Sequence, residues 1–213
     1  MTTKDRILDA AERLFARDGV EPTSLRAITA EAGVNLAAVN YHFQSKEALM
    51  HAVIARRIDP INEKRMALLD AIEAEAGDGP LPLDKVLDAL IGPVFEMLRG
   101  PGKAFAPMMG RIFWETSDLR EKIFNKHLAH ISLRFFPTFE RALPNLPRAE
   151  LYWRLLFVMG TVSYTIGGAN MLRTISRGEC DPSDVEGTLR RLESFLLAGL
   201  QAPVPVEVEH AVL

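Results

Sequence analysis

The chain has 213 residues, 48% of them hydrophobic, and a formal net charge of −3. That apolar share supports a substantial buried core and excludes a disordered or fibrous chain, while the acidic balance argues against general coating of nucleic acid. A single cysteine, Cys180, excludes an intrachain disulfide framework and any CxxC metal or redox site, which suits a reducing cytoplasm.

The charge is unevenly spread. Residues 1–58 carry eight basic and seven acidic side chains, and the remainder seventeen and twenty-one. A mildly basic head on an acidic body fits DNA contact confined to one site. The opening Met1-Thr2-Thr3-Lys4-Asp5-Arg6 has no apolar run behind its charges, so no signal peptide is expected.

In chain order, Ile7, Leu8, Ala11, Leu14 and Phe15 form the apolar stripe of a first helix, capped by Thr3 and stopped by Gly19. A short helix from Leu25 to Ala32 follows, capped by Thr23 or Ser24 and closed by Gly33. A third runs from about Leu36 to His42 with Asn35 as its cap. Ser45 caps a fourth, which carries Leu49, Val53 and Ile54 toward a long polar stem ending near Gly77. Asp78-Gly79-Pro80 and Gly100-Pro101-Gly102 break the chain around a helix containing Phe95 and Leu98. Gly92-Pro93 should kink that helix, because proline lacks the amide donor and crowds the preceding turn. Ser117-Asp118 opens another helix, which Pro137 interrupts or bends. Pro147 suits a first turn, and Asp181-Pro182-Ser183 opens a last helix ending near Gly199. Strand-like alternation is absent before the tail, so the fold class is all-α.

Leu155 to Leu172 carries no charge and is just long enough to suggest a membrane span. Thr161, Ser163, Tyr164, Thr165 and Asn170, with small residues on one stripe, favour a helix packed on a partner, so no membrane partner is expected.

The segment from Thr23 to Val34 has the make-up of a helix-turn-helix. Ala27 and Ala30 are small enough for close helix approach, and Gly33 supplies the positive φ of a tight turn. Ile28, Val34 and Val39 fill the wedge. The following helix would enter a major groove, with Ala37 and Ala38 reaching a thymine methyl and Asn40 an adenine edge. Tyr41 and Lys46 lie where phosphates would pass. The bland reading of the same pattern is a small helical bundle with a tidy turn.

Gly33-Val34-Asn35-Leu36-Ala37-Ala38-Val39-Asn40-Tyr41-His42-Phe43-Gln44-Ser45-Lys46-Glu47-Ala48-Leu49 closely resembles the core motif of the TetR/AcrR family of transcriptional regulators. The Ile7–Phe15 helix, Gly19 and the Thr23–Ile28 segment match in order and spacing. The resemblance covers about the first quarter of the chain. It implies an all-helical homodimer whose N-terminal domains bind a palindromic double-stranded operator, and whose C-terminal domain senses a small molecule. It makes Ser24, Arg26, Asn35, Leu36, Ala37, Ala38, Asn40, Tyr41, His42 and Lys46 the DNA-binding set. The implied division is 1–50 for the three-helix DNA-binding domain, 51–202 for a ligand-binding and dimerisation domain of about nine helices, and 203–213 for a flexible tail. The NLAAVNYHF run looks like the branch holding fatty-acid-responsive regulators, so a fatty acid or acyl-CoA is the expected effector of a repressor.

Two features of the body can be read. Gly160, Ser163, Gly167 and Asn170 recur at helical spacing. Paired with Leu189, Leu192 and Leu196, they predict a four-helix dimer interface, or else an intrachain contact of the same kind. Phe95, Phe105, Met108, Met109, Ile112, Phe113, Phe124 and Phe157 predict an apolar ligand cavity, though each alone reads as ordinary core. His127 and His130 share a face with Glu115 or Glu121 nearby, but without a clear third ligand a metal is not expected. No cofactor is expected either. Gly-rich phosphate loops, a G-x-S-x-G elbow and paired catalytic carboxylates are all absent, so an enzyme is the weaker alternative, beside a protein-interaction module that does not bind DNA.

Overall fold

The computed structural model describes residues 1–112 and 117–205 of the chain, and among these the regular structure is helical throughout, with no strand. The head begins with α1 (Thr3–Asp18). Thr2 caps it, one residue earlier than the sequence suggested. The Thr2 hydroxyl accepts the Asp5 amide at 3.1 Å, and Asp5 accepts the Thr2 amide at 2.9 Å, so two of the helix's orphan donors are satisfied reciprocally. Helices α2 (Leu25–Ala32) and α3 (Leu36–Phe43) follow, and then α4 (Lys46–Ala76), which runs through Pro60 without ending.

Beyond the stem come α5 (Leu83–Arg99), a 3-10 turn (Pro101–Phe105) and α6 (Ala106–Ile112). Helix α5 continues through Pro93. Ala89 to Phe95 are all buried, and that packing holds the helix across the missing donor. The chain breaks at Leu128 and not at Pro137, giving α7 (Ser117–His127) and α8 (Ala129–Ala142), with Pro137 inside α8. Pro147 is the cap of α9 (Arg148–Gly167), not a first-turn residue. The uncharged stretch is divided at Gly168 between α9 and α10 (Ala169–Ile175), and no helix among the described residues is long and apolar enough to cross a membrane. The last helix, α11 (Val185–Gln201), starts later than expected. The Asp184 carboxylate caps it by accepting the Gly187 amide at 2.8 Å, while Asp181 holds the preceding turn through the Ser183 amide.

Two hydrophobic clusters fill the molecule. The first joins Ile7, Phe15, Ile28, Val39 and Phe43 of the head to Val94, Phe105, Met108 and Ile123 of the body. The second packs α5, α8, α9 and α11 around Leu87, Phe95, Phe139, Val158, Leu192 and Leu196. Helix α4 serves both, giving Leu49 to Ile61 to the first and Leu69 and Ile72 to the second. The apolar contact between head and body therefore runs through α4 and through the segment from Phe105 to Met108.

Polar contacts reinforce this joint. Glu12 on α1 is buried but neutralised by Arg56 and Arg57 of α4, and Asp9 pairs with Arg56 at 2.7 Å. A buried carboxylate without such partners would cost several kcal/mol, on the order of 3–5. Further along α4, His51 Nδ1 lies 3.0 Å from His127 Nε2 of α7. The His127 carbonyl accepts from Asn62 at 2.8 Å, and the Asn62 carbonyl oxygen accepts from Arg65, which also donates to Leu90 O of α5. Burial lowers the Arg65 guanidinium to about 10.

Candidate nucleic-acid interface and inner cavity

Helix α3 is short, and its two faces are cleanly divided. Val39 and Phe43, four residues apart, anchor it in the head core, while Leu36, Ala37, Asn40 and Tyr41 face outward. Tyr41 is 83% exposed, with its ring edge-on to His42 at 5.1 Å. Arg26 is exposed on α2. An exposed helix bearing an amide, a phenol and small apolar side chains can be admitted to a major groove and offers contacts to base edges.

The rest of the expected DNA-facing set is more constrained. Ala38 is half-buried against the head core, so Ala37 alone of that pair is free to meet a thymine methyl. Ser24 and Asn35 spend their side-chain oxygens as caps, accepting the Ala27 amide at 3.1 Å and the Ala38 amide at 2.9 Å. His42 is half-buried. The half-buried Lys46 ammonium donates to Glu21 O at 2.8 Å, tying the start of α4 to the turn after α1. Two of its three N–H groups remain for a phosphate.

The α2–α3 turn is closed by Gly33, whose φ of 62° is left-handed as expected. Ala27 and Ala30 are exposed and do not make the helix contact; Ile28, Thr29 and Ala32 do. Sequence reasoning also missed Arg6. Its guanidinium crosses from α1 to donate to Ala32 O at 2.6 Å and Gly33 O at 2.8 Å, satisfying carbonyls that the end of α2 leaves open. A β-carbon at Gly33 would lie 2.8 Å from that Arg6 nitrogen.

In the body, the candidate interface residues divide. Leu151, Arg154, Val158 and Val162 of α9 turn inward, as do Leu192, Leu196 and Leu200 of α11. Leu192 and Leu196 thus belong to the chain's own core, and Leu189 is partly buried against it. Ser163 donates to Met159 O within its own helix. Gly167 packs on α6, where a β-carbon at Gly110 would stand 2.7 Å from its α-carbon. The Asn170 side chain lies outside the described residues. Gly160 is exposed, in a groove of about 630 Å³ between α9 and α11 that Phe157 and Phe195 line. Trp153, Leu156, Phe157, Tyr164 and Phe195 are all more than half exposed on this outer side. The sequence had not singled out Arg154, which is buried and caps the end of α11 by donating to Leu200 O at 2.7 Å.

The expected ligand-lining residues scatter similarly. Phe157 is on the outer groove, and Phe124 is 44% exposed. Phe105 and Met108 are fully buried in the head-to-body cluster, with Met109 and Ile112 packed against it. Phe113 lies outside the described residues. Phe95 does line a small pocket of about 120 Å³ where α5, α6, α9 and α11 meet, open to solvent beside the exposed Lys103 and Ser183. Leu98, Ile166 and Val185 form its other apolar walls, and Lys103, Thr165 and Thr188 bring polar atoms. His127 pairs with His51 and not with His130, Glu115 lies outside the described residues, and no cluster of three potential metal ligands occurs among the described residues.

Residues 7–53 match the family model of bacterial regulatory proteins, tetR family, and residues 88–199 match the tetracyclin repressor-like C-terminal domain. The chain belongs to the TetR family. It is 39% identical over 70 residues to the nicotine-responsive transcriptional repressor of Paenarthrobacter nicotinovorans. That alignment covers 33% of this chain and 36% of the repressor, so it reaches only about a third of the relative's length. Two solved structures share the whole fold. The fatty acid degradation regulator of Bacillus halodurans superposes with a TM-score of 0.60 at 17% identity, over 95% of this TetR-family chain and 98% of that one. The efflux-pump repressor SmeT of Stenotrophomonas maltophilia gives a TM-score of 0.60 at 21% identity, over 96% and 98%.

Proposed function

We propose that the protein is a homodimeric transcriptional repressor that reads a two-fold operator with α3 and leaves it when a small apolar effector binds the body. The observation that carries this reading is the division of α3, with Val39 and Phe43 fixed in the core and Leu36, Ala37, Asn40 and Tyr41 presented outward. Asn40 supplies the direct hydrogen bonds to a base, Arg26 supports it, and Tyr41 and Lys46 set register on phosphates. So sparse a reading face leaves much of the specificity to half-site spacing and DNA shape. The exposed side of α9 and α11 is proposed as the dimer contact, since a single helix-turn-helix covers one half-site. Residues 1–50 then act as the reading head and 51–202 as the sensing and pairing body. The effector is proposed to be an acyl compound, a fatty acid or an acyl-CoA. The fold shared with a fatty acid degradation regulator is compatible with this.

The test is selection of bound genomic fragments followed by fluorescence anisotropy on the enriched sequence. Affinity is expected to fall steeply with salt as phosphate counterions are released. Asn40→Ala should cost about 1–3 kcal/mol on that sequence and little on random DNA. Equal loss on both, or no enriched sequence, would remove α3 as the reading element.

A further inference from the structure

We propose that Arg6, near the start of α1, is a positioning residue that fixes the turn between α2 and α3 and so sets the direction in which α3 meets DNA. This rests on the reading above, in which α3 discriminates the operator, and names a residue outside both helices on which that discrimination depends. Helix α2 has only eight residues, and of its side chains Ile28, Thr29 and Ala32 are buried. A helix of two turns with so small an anchored face is not stable by itself and takes its orientation from what holds its ends. The Ser24 side chain holds its start by accepting the Ala27 amide. At its end the Gly33 amide reaches Ala30 O at 3.2 Å and the Val34 amide reaches Thr29 O at 3.0 Å, across the left-handed Gly33. Those bonds close the turn upon α2 itself and tie it to no other helix.

Arg6 supplies the outside tie. One of its terminal nitrogens donates to both Ala32 O and Gly33 O, at 2.6 and 2.8 Å. Its positive charge also lies at the negative end of α2, where a cation is favoured. The helix that carries it does not yield. Asp5 completes the cap of α1, Ile7 beside Arg6 is fully buried, and Asp9 and Glu12 are paired with Arg56 and Arg57 of α4. The turn is thereby referred to α1 and α4. Helix α3 begins three residues beyond Gly33, at Leu36, and Asn40 follows one turn later. A small error in the turn therefore moves Asn40 off a base edge, while the sequence-independent attraction to phosphates survives. Gly33 completes the lock. A β-carbon there would lie 2.8 Å from the same Arg6 nitrogen, so a side chain at this position drives the guanidinium off its carbonyls.

The experiment measures affinity for the selected operator and for random DNA across a salt series, on Arg6→Ala, Gly33→Ala and the double variant of the full chain. Exchange of the Val34 amide is followed on the same proteins without DNA. A turn held correctly in about a tenth of molecules weakens binding tenfold, so Arg6→Ala should cost roughly tenfold on the operator and less than about twofold on random DNA. Its salt dependence should stay that of the wild type. The Val34 amide should exchange faster in Arg6→Ala, with the amides of α5 unchanged. Because Gly33→Ala already displaces the guanidinium, the double variant should lose less than the product of the two single losses. Equal loss on both DNAs, with a salt slope lower by about one phosphate, would make Arg6 a backbone contact and overturn the proposal. Unchanged Val34 exchange would overturn it too, as would faster exchange in every helix alike. Arg6 is only half-buried, so its variant decides the matter even where Gly33→Ala does not fold. If the wild type itself prefers no sequence, the operator reading falls, and Val34 exchange alone still decides whether Arg6 fixes the turn.

Discussion

The head and the paired helices α9 and α11 are both helical units built on apolar stripes, yet they are determined in different ways. In the head, local chemistry settles nearly everything. Thr2, Ser24, Asn35 and Ser45 cap four successive helices through side-chain oxygens, and Gly33 takes the one left-handed φ that the turn requires. With each helix end fixed by a residue within three positions of it, the short helices have little freedom to rotate. Helix α9 has no side-chain cap and carries apolar residues on both faces, while α11 is capped by Asp184 but exposes Phe195 among its charged residues. Which stripe turns inward is decided by helices far away in sequence, chiefly α6 for α9 and α5 for α11. Local determination and tertiary determination are thus separated within one chain.

That separation can be broken by truncating the joint. Ile28 is fully buried in the cluster shared by head and body. Ile28→Ala should lower stability by about 2–5 kcal/mol in guanidinium unfolding, with head and body lost in one transition. A separate early transition of the head would show that the shared cluster does not couple them.

The contrast also explains what the sequence disclosed. The head's helices, caps and turn were readable from Thr23 to Leu49 because each rests on contacts three or four residues apart. In α3 the inward Val39 was expected, but Phe43, just beyond the expected helix end, was not, and Ala38 and His42 were both expected on the DNA side. The roles of Arg6 and Lys46 were not readable, since their partners, Ala32 and Gly33 for one and Glu21 for the other, are 25 or more residues away. In the body, the small-residue stripe of α9 was visible, but not where along it a partner and where the same chain would lie: Gly160 is exposed on the outer groove. Gly167 meets Gly110 within the chain, and Leu192 and Leu196 of α11 face its own core, because an apolar stripe does not reveal what it faces.

A smaller effect probes the joint by pH. Burial holds the His51 and His127 rings below the ordinary imidazole range. Lys126 adds to this at His51, and the neighbouring His51 ring adds to it at His127. Lys122 acts in the same direction on His51 and His130 on His127, while Glu47 and Asp59 oppose. The unfolded chain therefore takes up protons first as the pH falls. The contribution is complete above about pH 6.5 and lost below it, by at most about 1.4 kcal/mol per pH unit for each ring. Unfolding midpoints between neutral and mildly acidic pH should show this slope, and the double variant His51→Gln, His127→Gln should flatten it. An unchanged slope would place the titration elsewhere.

The most direct measurement is a hydroxyl-radical footprint of the wild-type chain and of Phe195→Asp on the selected operator. Phe195 is 68% exposed, so the substitution should change protomer stability by no more than about 0.5 kcal/mol. Two protected patches about one helical turn apart are expected for the wild type, with loss of paired protection for the variant as its dimer dissociates. A monomeric Phe195→Asp protein giving the wild-type footprint at the wild-type concentration would contradict paired reading through the outer face of α9 and α11.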